Sequence, residues 1–167
     1  MMIRSTCLFL IATFVLAGCA TSSSQSKNTA PPQAKGEEIP TLGQLSVKNL
    51  PAGSCGLLLW TIKNNEPRLI MRAVVGGDAM TVLDGVQTAL YLNGVGGDQL
   101  YGVNAKQRFV GTVDNELGTE QITVGFTGEF GQKFQSGVYI EQGVVSITGE
   151  DGWERITPTA GIEGCRP

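Results

Sequence analysis

Between residues 41 and 167 no long stretch carries the 3.6-residue apolar rhythm of an amphipathic helix, and turn residues break the chain at short intervals. The rhythm that does recur has a period of two. Ile122, Val124, Phe126 and Phe130 fall on one face, while Gln121, Thr123, Thr127 and Glu129 fall on the other. Gly128 keeps that register and marks a bend or bulge. Leu57-Leu58-Leu59-Trp60-Thr61-Ile62 is a mostly apolar run, as expected of a strand covered on both sides or at its core end.

Turn signals divide this region into short strands. Lys63 to Pro67 separates Gly56–Ile62 from Arg68–Val75, and Gly76-Gly77-Asp78 introduces Ala79–Leu83. Asp84-Gly85 leads into Val86–Leu92, a hairpin signal because both central residues tolerate positive φ. Asn93 to Asp98 reads as a glycine loop before Tyr101–Val110. Asp114 to Thr119 precedes Gln121–Phe130, and Gln142-Gly143 separates Val138–Glu141 from Val144–Thr148. Asp151-Gly152 opens a last strand, Trp153–Thr157. The expectation is an all-β fold, a small antiparallel barrel or sandwich of about eight or nine short strands in a single domain over residues 41–167. Val75-Gly76-Gly77-Asp78 recurs as Val95-Gly96-Gly97-Asp98. The third glycine and the short tandem period of calcium-binding repeats are missing, so these read as two similar turns.

The N-terminus has a different character. Arg4 is followed by an apolar run from Leu8 to Leu16 and then by small residues, the order of a secretory signal peptide. The run is about half of what a membrane-spanning helix needs. At its end Leu16-Ala17-Gly18-Cys19 resembles the lipobox of bacterial lipoproteins. That resemblance implies removal of residues 1–18, lipid on the Cys19 thiol and attachment to a membrane. Ala20, where an Asp would favour the inner membrane in enterobacteria, implies the outer membrane, facing the periplasm. Stable anchoring takes two or more acyl chains, since one holds only marginally. Residues 19–40 are rich in Ser, Ala, Gln and Pro and too poor in apolar side chains to offset their ordering entropy. They read as a disordered tether spanning roughly 25 Å root-mean-square.

Of the four cysteines, Cys7 leaves with the signal and Cys19 is consumed by lipid. Cys55 and Cys165 remain, an even pair in an oxidising compartment, and read as a disulfide joining the start of the domain to its end. The alternative is two free thiols. The chain has no histidine, which excludes histidine triads, and neither remaining cysteine belongs to a Cys-x-x-Cys motif. No cofactor and no metal site is expected.

Glu150, Asp151 and Glu154 cluster at one turn, and a carboxylate-dependent envelope hydrolase would need two acids across a bond. A solvated turn with an Asp-Gly corner is the simpler explanation, and the hydrolase reading stands behind it. Removing Arg4 with the signal leaves eleven basic against fifteen acidic side chains, a balance of −4 with no basic footprint for nucleic acid. Trp60, Tyr91, Tyr101, Tyr139 and Trp153 are the aromatics that could line a sugar or protein surface, Trp60 being better suited to the core.

Thr81-Val82-Leu83-Asp84-Gly85, with Leu90 and Leu92, looks like a strand–turn–strand of the membrane-bound inhibitors of C-type lysozyme, and Ser136-Gly137-Val138-Tyr139 is similar to their Ser-Gly-x-Arg-Tyr segment. The resemblance implies a small β-barrel lipoprotein whose inhibitory contacts lie in that second segment. This chain lacks the arginine, is one residue short, and has no lysine after Lys133. The expected role is non-enzymatic, binding or structural, at the cell envelope. Ser136, Tyr139 and Trp153 are its partner-facing residues, and an envelope protein, a glycan or a lysozyme is the partner.

Overall fold

The computed structural model describes residues 39–46, 49–115 and 118–167. The expected signal peptide, Cys19 and the expected tether as far as residue 38 lie outside them. Among the described residues there are nine strands and no helix. They are β1 (Cys55–Lys63), β2 (Glu66–Val74), β3 (Ala79–Leu83), β4 (Val86–Leu100), β5 (Val103–Asn115), β6 (Gly118–Thr127), β7 (Phe130–Phe134), β8 (Gly137–Gly149) and β9 (Glu154–Cys165). All pairings are antiparallel. The order β6-β5-β4-β3-β2-β1-β9-β8 closes on itself because β6 also pairs with β8. The result is an eight-stranded barrel with β7 as an additional strand on the first part of β8. Closure removes the free edges that an open sheet would present to other chains.

Alternation along the strands sorts side chains to the interior. Leu57, Leu59, Met71, Leu90, Phe109, Ile122, Val124, Phe126, Val145 and Ile147 form its buried core. The leucine run of β1 is covered on both faces, as its composition predicts. Leu57 and Leu59 point inward, while Leu58 joins a second cluster with Leu45, Leu50, Leu69 and Val82. The strand's apolar character ends at Ile62, which is 67% exposed. The second cluster exists because residues 41–46 and 49–50 lie along the outside of β1–β3. The Gly43 amide donates to the Val82 carbonyl, and the Leu45 amide to the Leu69 carbonyl. Asp84 Oδ1 accepts from both the amide and the hydroxyl of Thr41.

The turns follow local chemistry. Asp84-Gly85 is a two-residue hairpin turn with both φ angles positive, at 48° and 84°. Asn64-Asn65 does the same between β1 and β2.

Four expected boundaries differ. Asn93–Asp98 is not a loop but part of β4, which absorbs its glycines as register shifts between Leu92 and Gly94 and between Gly96 and Gln99. The two Val-Gly-Gly-Asp segments are therefore a turn and a bulge. The reversal into β5 falls instead at Tyr101-Gly102. Gln142-Gly143 does not separate two strands. Gln142, at φ 36°, makes a bulge within β8, and there β8 changes partner from β7 to β6. The strand expected over Gln121–Phe130 stops at Thr127, and Phe130 begins β7. Finally, β9 continues past Thr157 to Cys165. Pro158 is tolerated because β1 pairs with β9 only from Ala160 onward, leaving Pro158 at a local edge.

Candidate functional site

Cys55 and Cys165 are register partners on β1 and β9 and are bonded, closing a sequence separation of 110. Several chain segments converge around this bond. The Cys165 amide donates to the Ser136 carbonyl, and the Arg166 amide to the Ser54 carbonyl. The Arg166 guanidinium donates through Nη1 to the Leu50 carbonyl at 2.7 Å. The β7–β8 turn, the entry into β1 and the C-terminal residues are thus tied together at one end of the barrel.

Gly137 and Gly164 permit that approach. A Cβ on Gly137 would lie 2.2 Å from the Glu163 carbonyl oxygen, and one on Gly164 would lie 2.3 Å from the Ser136 carbonyl. Beside this contact runs an open groove of about 250 Å³ lined by Leu50, Leu58, Phe134, Ser136, Ile162 and Arg166. Tyr139 stands next to it, 48% exposed, with its ring tilted against Phe134 at a centroid distance of 5.2 Å.

Ser136 and Tyr139 therefore share one hairpin. Trp153 does not join them. It lies at the other end of β8, is half-buried and packs against the main core. Its amide donates to Asp151 Oδ1 across the β8–β9 turn. Trp153 is thus less exposed than expected, because part of its indole packs against the core. Glu150, Asp151 and Glu154 are exposed on the same turn, and the Glu150 amide donates to the Glu120 carboxylate.

Glu163 is the residue that sequence reading missed. It is fully buried, opposite Leu57 on β1 and Val138 on β8. Neither carboxylate oxygen has a hydrogen-bond partner among the described residues. Burial pushes its pKa from the ordinary 4.5 up to about 8. The Val103 amide, at the start of β5, lies close enough to pull the other way but outside hydrogen-bond geometry. The available signal was periodicity: Gly161, Glu163 and Cys165 alternate with outward positions, which puts the carboxylate on the inner face.

No protein-family model, curated protein or solved structure matches this chain. Fold and site together define a small, disulfide-closed antiparallel β-barrel with an open groove at its closed end.

Proposed function

We propose that this chain is a lipid-anchored protein of the bacterial envelope whose barrel has a non-enzymatic role, binding a protein partner through the disulfide end. The observation that carries the reading is the pairing of Ser136 and Tyr139 on one hairpin beside an apolar groove. A half-exposed tyrosine at the rim of a groove supplies rigid contact area and a polar tip, the combination favoured at protein interfaces. The barrel interior, by contrast, is filled with aliphatic and aromatic side chains. The test is to put a photo-crosslinking amino acid at Tyr139 in the full chain and irradiate living cells. A discrete adduct that disappears on Phe134→Ala is expected. Absence of any adduct from both Tyr139 and Ser136 would remove the groove from consideration.

Inhibition of a C-type lysozyme is the second reading, favoured by the exposed position of the Ser136–Tyr139 segment on its hairpin. It is checked by adding the full chain to a lysozyme turbidity assay, where unchanged lysis at excess protein rejects it. The anchor has a separate test. Cells fed an alkyne-bearing fatty acid should label the protein, and Cys19→Ala should abolish the label.

A further inference from the structure

Residues 41–46 and 49–50 cover the outside of β1–β3, and no described segment covers the outer face of β4, β5, β6 and β8. That face is not convex and featureless. Two depressions lie end to end along β5, one of about 460 Å³ between β4 and β5 around Tyr91, Val110 and Thr112, the other of about 500 Å³ reaching across β6 to β8 around Arg108, Thr123 and Ser146. From Lys106 to Asp114 the trough follows β5 for about 26 Å at the usual rise per residue.

Its depth comes from missing side chains. Arg108 stands in register between Gly94 on β4 and Gly125 on β6. One row further, Lys106 stands between Gly96 and Thr127. Glycine within a strand weakens it unless something approaches the backbone closely, and this stretch keeps three on one face. Both cations are exposed, and neither makes an ion pair or hydrogen bond among the described residues, although the chain as a whole carries a formal charge of −3. Where the two depressions meet, Tyr91 lies 62% exposed. Asp114, at the far end, is occupied by the Thr119 hydroxyl at 2.7 Å.

We infer that this trough binds a carboxylated polysaccharide strand. The exposed ring of Tyr91 offers an apolar face for a sugar ring to lie on, with its hydroxyl free to hydrogen-bond. Thr112, Thr123, Ser146 and Gln121 supply the donors and acceptors that sugar hydroxyls need. Lys106 and Arg108 pair with carboxylates, Arg108 in the bidentate geometry of its planar fork. Two cations on a net acidic chain are too few for a nucleic-acid footprint. The inference rests on a different face from the groove at the disulfide end and stands or falls separately.

Affinity electrophoresis of the full chain in detergent tests it. The gels contain a soluble polyuronate, neutral dextran, or polyglutamate of matched charge. Retardation is expected in the polyuronate alone, at least five-fold weaker for Tyr91→Ala and absent for the Lys106→Ala, Arg108→Ala double variant. Gly94→Leu provides a steric block. Its backbone has no positive φ, and an added Cβ would meet nothing closer than the Arg108 Cβ at 3.8 Å, so the fold tolerates it while the trough is filled. It should lose retardation with an unchanged circular dichroism spectrum and melting temperature. Equal retardation in polyglutamate, an unaffected Tyr91→Ala, or no retardation in polyuronate would each overturn the assignment.

Discussion

With both oxygens of Glu163 sealed inside the barrel and neither hydrogen-bonded among the described residues, its ionised form is the costly one. The sign of the pH effect follows directly. The unfolded chain releases this proton near 4.5 and the folded chain near 8, so over that window the unfolded state binds fewer protons and stability falls as pH rises. The stabilisation is complete below about pH 4.5 and fully lost once pH has passed about 8. The slope is about 1.4 kcal/mol per pH unit, on the order of 3 kcal/mol between pH 5 and pH 7.5. Urea unfolding at those two pH values should show that loss in the wild type, and Glu163→Gln should remove most of it. A wild-type chain equally stable at both would mean that water or a donor reaches the carboxylate. A second residue-scale expectation concerns Gly137, where an added methyl meets the Glu163 carbonyl. Gly137→Ala should destabilise the barrel by about 2 kcal/mol or more through backbone displacement, read as a lowered urea midpoint.

At the scale of elements, the bulge in β8 decides how the barrel closes. β8 pairs with β7 before Gln142 and with β6 after it, so a single kink lets one strand serve two neighbours. Gln142 holds a left-handed φ of 36°, which a residue with a Cβ adopts at a cost of roughly 1 kcal/mol. Gln142→Gly should therefore be neutral or stabilising by up to about 1 kcal/mol, measurable as a raised melting temperature. The same element shows where sequence stopped being informative. The strand cores were legible, because period-two alternation in β6 and the leucine run of β1 report burial directly. Gln142-Gly143 and Asn93–Asp98 were misread because glycine marks a turn and a bulge alike, and only the partner strand distinguishes them. Tyr101-Gly102 escaped notice since tyrosine is an uncommon first residue for a positive-φ turn. Of the residues expected to face a partner, Ser136 and Tyr139 share a hairpin, whereas Trp153 is half-buried against the core, because an aromatic beside an Asp-Gly turn carries no sign of which way it faces.

For the whole molecule, the disulfide and the sheet closure reinforce each other. Cys55 opens β1 and Cys165 ends β9, so the bond joins two strands already in register. With 110 residues between them, its loss should cost about 4–5 kcal/mol in the chain-entropy model. A Cys55→Ser, Cys165→Ser variant should show that loss in urea unfolding, and reductant should reproduce it in the wild type.

The same bond sets how the molecule responds to being pulled. Stretched between Ile39 and Pro167, the oxidised chain can pay out only the residues before Cys55 and after Cys165, because everything between them is short-circuited by sulfur. Tension on the N-terminal side would peel the strip that shields Leu58 and Leu69, exposing an apolar patch while the barrel stays shut. Extension in a single-molecule trap should then stop at roughly 60–70 Å. Reduction should release several hundred ångströms more. Held by its N-terminal side, as proposed, the chain would carry a mechanical fuse outside its barrel and a covalent stop at the barrel's entrance.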